Sequence, residues 1–390
     1  MPDNTSESQP LRVGIVGFGW MGQVHARAYT RLRQHYPDTP LAPVLVAVAD
    51  NAADTRLAKA VAAYGFSAVH ADWRELVNRD DLDLVSVTGP NFIHRDVAVA
   101  SARAGKHIWV EKPAGRNAGE TRQIRDAVRV AGVCSAAGFN YRNVPAVERA
   151  RRLIADGRLG AVEHITIRLL TDYAAHPDAG LTWRFSNERA GSGVLGDLVS
   201  HGIDLGRYLA GEITELIGDR ATFIGSRPLV GAAADRSTLV SGGVRGAVEN
   251  EDYVSVLLRF AGGARGVLES SRVAVGEQCN YQVEVHGKRG ALAWDFRRMG
   301  ELRVALDQDF TDAGYATLSC GPGDGELGAF QPGAGVPMGF DDLKVVELRR
   351  LVQSIATGQP VGATIEDAVR AAELVDAVVT SADRRSWVTV

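Results

Sequence analysis

The chain has 390 residues, of which 45% are hydrophobic and 23% are charged, and its formal net charge is -4. This length suits two domains, and the balance of residue types is that of a soluble globular protein, which excludes a disordered or fibrous chain. The small net charge, without runs of like charge, argues against a nucleic-acid partner, and three widely separated cysteines argue against a disulfide framework or a zinc cage and favour a reducing cytoplasm.

The N-terminal segment, residues 1–10, is polar and lacks the basic start and apolar stretch of a secretory signal. We expect it to be a flexible arm. No apolar run in the chain approaches the roughly 18 residues needed to span a bilayer, so we expect no membrane partner.

Residues 11–138 alternate short apolar runs with helical patterns, which is typical of βαβ units in a parallel sheet. The runs are almost wholly apolar, as expected for strands covered by helices on both faces. This region is therefore predicted to be an α/β domain of the Rossmann type. Its strand-like runs are LRVGIVG, VLVAVAD, LDLVSVTG and HIWVEKP.

The pattern changes after Gly138, so residues 139–390 are predicted to form a second domain. A helix is expected over 145–156 and an alternating strand over 163–169, followed by several alternating runs between 213 and 304. These features indicate an α+β domain with a large, mostly antiparallel open sheet. The helices expected over 341–357 and 364–384 can pack back on the first domain.

A glycine fingerprint lies directly after the first strand and opens a helix, which is the context that gives a G-x-G-x-x-G match its meaning. The first glycine allows a tight turn, the second lets the backbone approach a pyrophosphate, and the third permits close packing of helix on strand. We therefore predict that this loop binds a dinucleotide, although a plain glycine turn is the alternative. Its members are Gly17, Phe18, Gly19, Trp20, Met21 and Gly22.

The second strand ends at Asp50, where a carboxylate would meet the adenosine ribose of the dinucleotide. Its charge repels a 2′-phosphate, so we predict NAD rather than NADP as the cofactor. Two alternatives stay open, because Asp50 could simply cap a helix and Arg56 lies close enough in sequence to weaken the selection against NADP.

The fourth and fifth strands also end in polar residues, at the edge where open α/β sheets bind ligands. Lysine is rare here, with five examples among 43 basic residues, and a partly buried lysine can exchange a proton where arginine cannot. This favours a chemical role for Lys112, with a solvated surface group as the alternative. The predicted cofactor contacts at these strand ends are Thr88, Pro90, Asn91, His94, Glu111 and Lys112.

A third group follows a Gly191-Ser192-Gly193 segment, which we interpret as a flexible approach to a helix. Asp197 and His201 are four residues apart, so a helix places both on one face. A histidine can take a proton from an alcohol near neutral pH, and a nearby carboxylate can orient it. The alternatives are an ordinary helix salt bridge and a zinc site, but two ligands without a third do not make a metal site.

These motifs together resemble the glucose-fructose oxidoreductase, inositol dehydrogenase and rhizopine catabolism (Gfo/Idh/MocA) family. The resemblance covers nearly the whole chain and runs through GFGWMG, AD, TGPNFIH, EKP, GFNYR and GSGVLGDLVSHGIDL. It implies a Rossmann domain and an open antiparallel sheet whose outer face builds a homodimer or homotetramer. The segments Trp183-Arg184-Phe185 and Ser386-Trp387-Val388 look most similar to the branch that acts on anhydrosugars such as levoglucosan, with inositol dehydrogenases nearly as close.

The resemblance also implies a catalytic triad of Lys112, Asp197 and His201. We expect His201 to accept the hydroxyl proton, Lys112 to polarise the oxygen and Asp197 to orient the histidine or a neighbouring hydroxyl. Pro113 resembles the family's proline that fixes the backbone of the lysine. Besides the triad, Tyr141, Arg142 and Trp183 are candidates for binding the substrate, although each could equally be interdomain packing.

The function predicted on this basis is the NAD-dependent, reversible oxidation of a secondary hydroxyl of a cyclic polyol or sugar, of the levoglucosan, pyranoside C3 or inositol type, to a ketone. Two other functions remain open, since some relatives bind a dinucleotide only as regulators and others use bound NAD transiently to cleave glycosides.

Overall fold

The computed structural model describes residues 8–51, 55–231, 238–306, 312 and 314–390, without the side chains of residues 55, 56, 59 and 60. Most of the predicted arm, residues 1–7, and the side chain of Arg56 therefore lie outside the described residues. The chain divides into two compact units. The first unit contains residues 1–115, 119–140 and 339–368, and the second contains residues 116–118, 141–338 and 369–390.

Seventeen strands and ten helices are formed by the described residues. The strands are β1 (Gln9–Val16), β2 (Leu41–Ala49), β3 (Ala68–His70), β4 (Leu84–Val87), β5 (His107–Val110), β6 (Ser135–Ala137), β7 (Val162–Leu170), β8 (Ile213–Ala221), β9 (Ser226–Pro228), β10 (Arg245–Ala247), β11 (Tyr253–Phe260), β12 (Arg265–Ser271), β13 (Asn280–Gly287), β14 (Gly290–Asp295), β15 (Glu301–Leu306), β16 (Ala316–Ser319) and β17 (Val388–Thr389). The helices are α1 (Trp20–His35), α2 (Thr55–Tyr64), α3 (Trp73–Val77), α4 (Asn91–Arg103), α5 (Ala118–Ala131), α6 (Pro145–Ala155), α7 (Asn187–Ala190), α8 (Ser200–Ala210), α9 (Phe340–Thr357) and α10 (Ile365–Arg384).

The first unit is built on a six-stranded parallel sheet in the order β3-β2-β1-β4-β5-β6. This is the doubly wound order, in which the order of strand addition reverses between β1 and β4, so the carboxyl ends of these two parallel strands border the crevice where such sheets bind ligands. All four residues of β4 are buried, as expected for a strand covered on both faces. The predicted Rossmann domain is confirmed.

Two details of this unit differ from or refine the sequence prediction. Strand β1 begins at Gln9, inside the predicted arm, because Gln9 and Pro10 already pair in register with β2. Helix α9 belongs to this unit, where its Asp341 and Asp342 form ion pairs with Arg27 and Arg31 of α1. Helix α10 begins in the first unit, but its residues from 369 onward belong to the second.

The second unit contains a nine-stranded sheet in the order β16-β15-β14-β13-β7-β12-β11-β8-β17, in which only β7 and β12 are described as parallel neighbours. Burial alternates along β11, where Val254, Val256 and Leu258 are buried and Leu257 is half exposed. One face therefore belongs to the core and the other is open, as the alternating sequence pattern predicts.

Helix α8 packs on the buried face of this sheet. A Cβ atom added at its Gly202 would lie 2.7 Å from Leu169 of β7 and 2.8 Å from Leu268 of β12, so the glycine lets the helix approach the strands closely. This packing fixes the helix that carries His201. Within the part of the chain that the structure describes, no helix is long and apolar enough to cross a membrane.

Candidate active site

The glycine fingerprint forms a tight turn between β1 and α1 whose shape depends on two glycines. Gly17 has a φ of +86°, a conformation that side chains other than glycine rarely adopt. A Cβ atom at Gly22 would lie 2.1 Å from the Gly17 carbonyl oxygen, whereas one at Gly19 would meet no atom within 4 Å. The structure therefore needs glycine at 17 and 22 for folding, but at 19 it leaves open space.

This open space lies at the N-terminus of a 16-residue helix whose first turn contains no acidic residue. The first-turn amides of a helix lack partners within the helix and attract anions. A backbone that an anion can approach at Gly19, beside these amides, fits the pyrophosphate of a dinucleotide. The residues present thus fit the predicted cofactor.

Two neighbouring strand ends hold the loop in place. Asp50, directly after β2, accepts a hydrogen bond at Oδ2 from the main-chain N–H of Phe18 over 2.6 Å. Thr88, after β4, donates from its hydroxyl to the Gly17 carbonyl oxygen over 2.6 Å. The Phe18 ring packs edge-on against Tyr64 and Phe66. The predicted loop residues are therefore brought together with Asp50 and Thr88.

The remaining predicted cofactor residues of this edge lie on the first turns of two helices. Trp20 is 61% exposed and stacks on Phe340 at a ring distance of 5.3 Å. Met21 follows it on α1, and Pro90 precedes Asn91, the first residue of α4.

His94, a predicted cofactor contact, lies between two main-chain carbonyl groups. It is buried, and its Nδ1 lies 2.8 Å from the Pro113 carbonyl oxygen while its Nε2 lies 2.8 Å from the Gly89 carbonyl oxygen. Burial lowers the pKa of His94, so the neutral imidazole donates its single N–H to one of these two carbonyl oxygens, which follow β5 and β4.

Glu111 is another predicted cofactor contact at this strand end. Its side chain is buried, with Oε1 bonded to Lys344 over 2.5 Å and to His25 over 3.1 Å, while Oε2 accepts the main-chain N–H of Lys112 over 3.2 Å. The carboxylate therefore has partners inside the unit. Lys112 itself is half-buried, and its peptide bond to Pro113 is cis.

In the second unit, Asp197 and His201 lie on consecutive turns as predicted, but the first of these turns is not α-helical. Leu195–Val199 is a π-helical turn, and α8 begins at Ser200. Short π-helical segments occur frequently at functional sites. Asp197 accepts a hydrogen bond at Oδ2 from the Tyr173 hydroxyl over 2.7 Å, which fixes the carboxylate, and His201 is buried.

The segment before this turn is tightly packed, so its interpretation as a flexible approach is wrong. A Cβ atom at Gly193 would lie 2.1 Å from the Glu251 carbonyl oxygen. The Glu251 side chain accepts the main-chain N–H groups of Gly193 and Leu195 over 2.7 and 2.9 Å. The glycine serves close packing, and Glu251 satisfies the amides that begin the π-helical turn.

The three candidate substrate residues, all in the second unit, have different surroundings. The Tyr141 ring lies 4.6 Å from that of His201, in an aromatic cluster with Tyr281 and Phe296. Arg142 forms a bidentate ion pair with buried Asp204, at 2.8 and 2.5 Å, so the Nε and Nη2 side of its guanidinium is occupied by a protein carboxylate. Trp183 is half-buried beneath the Arg184 guanidinium.

Sequence reasoning missed Tyr173 and Glu251, the residues that hold Asp197 and its turn. Tyr173 is 24 positions and Glu251 is 54 positions from Asp197 along the chain, so neither belongs to a local motif. The signal in the sequence that could have indicated these two residues is that polar residues occur at the ends of the alternating runs. Among the described residues, no group of three or more histidines, cysteines or acids is arranged to hold a metal ion.

Comparison with known proteins identifies the family to which this chain belongs. The family model described as "Oxidoreductase family, NAD-binding Rossmann fold" matches residues 11–139, and the "GFO/IDH/MocA C-terminal domain" matches residues 147–293. The chain belongs to the Gfo/Idh/MocA family. It is therefore an oxidoreductase whose first unit is an NAD-binding domain, as the motifs predict.

Individual relatives within the Gfo/Idh/MocA family extend the match to the whole chain. A levoglucosan dehydrogenase from Pseudarthrobacter phenanthrenivorans is 35% identical over 98% of both chains, and an inositol 2-dehydrogenase from Rhizobium meliloti is 32% identical over 77% of this chain and 80% of its own. A solved structure of levoglucosan dehydrogenase in complex with NADH and levoglucosan superposes with a TM-score of 0.91 at 34% identity, covering 98% of this chain and 100% of the other.

Proposed function

We propose that this protein is an NAD-dependent dehydrogenase that reversibly oxidises a secondary hydroxyl of a cyclic polyol or sugar to a ketone. The substrate class is an anhydrosugar such as levoglucosan, a pyranoside oxidised at C3, or an inositol. The observation that carries the proposal is that a chain similar from end to end to a levoglucosan dehydrogenase keeps both the glycine loop suited to a pyrophosphate and the complete Lys112, Asp197 and His201 set.

The roles of the three residues follow from their chemistry. NAD+, when bound to the glycine loop, supplies the acceptor for the carbinol hydride. His201 takes the hydroxyl proton on a ring nitrogen, since histidine is the side chain suited to proton exchange near neutral pH. Lys112 donates a hydrogen bond to the substrate oxygen and stabilises negative charge there, and Asp197 orients the substrate or the imidazole.

Two tyrosines of the second unit, Tyr141 beside His201 and Tyr173 beside Asp197, act as hydrogen-bonding groups and not as bases. Burial raises the pKa of Tyr141 and of Tyr173 well above the ordinary value for tyrosine. Both hydroxyls therefore keep their protons at neutral pH. Tyr173 donates to Asp197, and the Tyr141 ring beside His201 gives a sugar an apolar face against which to pack, while Arg142 and Trp183 complete the proposed substrate-binding set.

Cofactor preference is proposed from Asp50. Its carboxylate supports the glycine loop through Phe18 and adds a negative charge at the strand end where the adenosine ribose binds in doubly wound sheets. A 2′-phosphate is repelled there, so NAD is favoured over NADP.

A homodimer or homotetramer is proposed from the open face of the nine-stranded sheet. Leu257 and Val267 face each other on adjacent strands and are 49% and 44% exposed. Light scattering should give a mass of two or four chains, and Val267→Glu should lower it. A monomeric wild-type protein would refute this assembly.

A cytoplasmic location is also proposed. It is supported by the free cysteines, which suit a reducing environment.

The reaction is tested by incubating the protein with NAD, and separately with NADP, against inositols, anhydrosugars, pyranoses and glycosides while following absorbance of the reduced cofactor. We expect reduced NAD to accumulate with one substrate class. Bond cleavage in a glycoside without accumulation of NADH would indicate a glycosidase-like enzyme. Binding of NAD without turnover of any compound would indicate a regulator.

A further inference from the structure

A cluster of four buried titratable side chains lies behind the strand end that carries Lys112. Glu111 comes from the end of β5, Lys344 and Glu347 from α9, and His25 from α1, and each is at most 6% exposed. All four belong to the first unit. The function proposed above uses none of them directly.

Lys344 is the centre of this cluster. Its ammonium group contacts Glu111 Oε1 at 2.5 Å and Glu347 Oε1 at 3.0 Å, so one cation serves two carboxylates. The Trp109 indole N–H donates to the same oxygen of Glu347 over 2.5 Å, and the Trp109 ring stacks on His25 at 3.6 Å. Removing a buried cation leaves its carboxylate partners without compensation, so these groups depend on one another.

The cluster connects to Lys112 through the two oxygens of Glu111. Oε1 receives Lys344 and His25, and this leaves Oε2 to accept the main-chain N–H of Lys112 over 3.2 Å. Gly138 packs against the same carboxylate, since a Cβ atom added there would lie 2.6 Å from Oε2. Lys344, His25 and Gly138 thus restrict the Glu111 carboxyl group. If this group could rotate, Oε2 would lose its hydrogen bond to the main-chain N–H of Lys112.

We propose that Lys344, Glu347 and His25 are positioning residues that act through Glu111 to fix the backbone of Lys112 for catalysis. The inference rests on the function proposed above. It extends the role of α9 from packing against α1 to control of the catalytic lysine from inside the unit. Contact between the cluster and substrate or cofactor is not required.

The protonation of Glu347 adds pH dependence to this arrangement. Burial raises the pKa of Glu347 to about 7, with Lys344 lowering it and Glu111 raising it. Glu347 Oε2 is buried without a hydrogen-bond partner among the described residues, as suits a carboxyl group that carries a proton. When Glu347 is neutral, Lys344 pairs with Glu111 alone. When Glu347 ionises, the ammonium group is shared between two anions and its hold on Glu111 weakens.

The test compares Lys344→Met with Lys106→Met. Lys106 is also buried in the first unit, but the hydrogen-bond partners of its ammonium group among the described residues are the carbonyl oxygens of Arg79 and Leu82. We expect Lys344→Met to lower kcat by about tenfold or more with little change in KM or in the Kd for NAD, which is the signature of a lost transition-state contribution. Lys106→Met should lose stability and keep kcat.

A readout in the protein without cofactor separates this inference from the proposed reaction. Reductive methylation with 13C-formaldehyde labels accessible lysines, and the Lys112 signal is assigned by its absence in Lys112→Ala. We expect Lys344→Met to move this NMR signal, whereas Lys106→Met leaves it in place. This measurement needs no substrate, so a wild-type protein without turnover would refute the proposed function and leave the positioning role measurable.

Glu347→Gln is the second variant, because Lys344→Met can fail to fold. The amide keeps an oxygen for Trp109 and Lys344 but does not titrate. We expect the wild-type Lys112 signal to shift with pH around 7 and this step to vanish in Glu347→Gln. An unmoved Lys112 signal in Lys344→Met, or a pH-dependent step in that signal that persists in Glu347→Gln, would overturn the proposal.

Discussion

At the scale of single residues, the structure distinguishes side chains that are accessible to a ligand from buried side chains that bind other parts of the protein. Lys112 and Glu111 are neighbours in an E-K-P motif, yet the glutamate is buried among protein partners and the lysine is half-buried. His94 likewise lies buried between two main-chain carbonyl oxygens. Motif reading cannot make this distinction, because adjacent residues at a strand end point in different directions.

The first prediction concerns Lys112→Ala. Loss of general acid-base and electrostatic assistance should lower kcat by about 10² to 10⁴, while NAD still binds because the glycine loop is intact. Lys288→Ala, at an exposed lysine, is the matched control and should leave kcat and NAD binding unchanged. Turnover at the wild-type rate in Lys112→Ala would remove the lysine from the mechanism.

The second prediction concerns Asp50→Asn. The amide oxygen can still accept the Phe18 N–H, so the loop keeps its shape while the negative charge is lost. We expect kcat/KM with NADP to rise by about tenfold, the equivalent of roughly 1.4 kcal/mol, with a smaller change for NAD. If the two cofactors respond equally, the role of Asp50 is to support the loop and not to select the cofactor.

At the scale of elements, glycine positions decide how closely backbone segments approach. Gly17, Gly22 and Gly193 are required by close contacts or by backbone conformation, whereas Gly19 has open space around it. The sequence pattern predicts the first of these turns correctly but misreads the segment before Asp197, because flexibility and close packing use the same residue type.

The third prediction compares Gly19→Ala with Gly22→Ala. Gly22→Ala should destabilise the fold, since its Cβ atom would overlap the Gly17 carbonyl oxygen. Gly19→Ala should keep the wild-type Tm but weaken NAD binding by about tenfold or more, because the added methyl group occupies the approach of the pyrophosphate. Thermal melts and calorimetric titration with NAD measure the two effects. Unweakened NAD binding in Gly19→Ala would argue for a plain glycine turn.

The fourth prediction tests the π-helical turn through Tyr173→Phe. Without its hydroxyl donor, Asp197 loses its fixed orientation, and the fold loses about 1 kcal/mol for one hydrogen bond. We expect kcat to fall by roughly tenfold, which corresponds to 1.4 kcal/mol in the barrier. Tyr253→Phe, whose hydroxyl lies 3.5 Å from Glu269 on the sheet, serves as the control. Equal effects of the two changes would count against a role for Tyr173 in positioning Asp197.

At the scale of the whole molecule, stability and pH are linked through buried charge. Burial lowers the pKa of His25 to about 4. Although burial alone raises it, Lys344 and His25 hold the pKa of Glu111 below its ordinary value. The pKa of Glu347 is shifted in the opposite direction, because burial raises it to about 7. One cluster therefore contains carboxyl groups with opposite effects on the pH dependence of unfolding.

The fifth prediction isolates Glu347 by comparing Tm of Glu347→Gln with that of the wild type across pH. The folded protein holds the Glu347 proton more tightly than the unfolded chain, so the cost of ionising it grows as pH rises from the ordinary carboxyl pKa of about 4.3 towards 7. Glutamine has no such cost. The Tm of the variant minus that of the wild type should increase between pH 5 and pH 8, and a constant difference would contradict the raised pKa.

The sequence by itself determined the Rossmann fold of the first unit, the tight glycine turn after β1 and the open, mostly antiparallel sheet of the second unit, because these depend on periodic burial and on glycine spacing within short segments. It also carried the family motifs that name Lys112, Asp197 and His201. Only the tertiary structure decided which neighbours hold these residues. Tyr173, Glu251 and Lys344 reach their partners from 24 to 233 positions away, and such contacts arise from packing of distant segments, which no local pattern encodes.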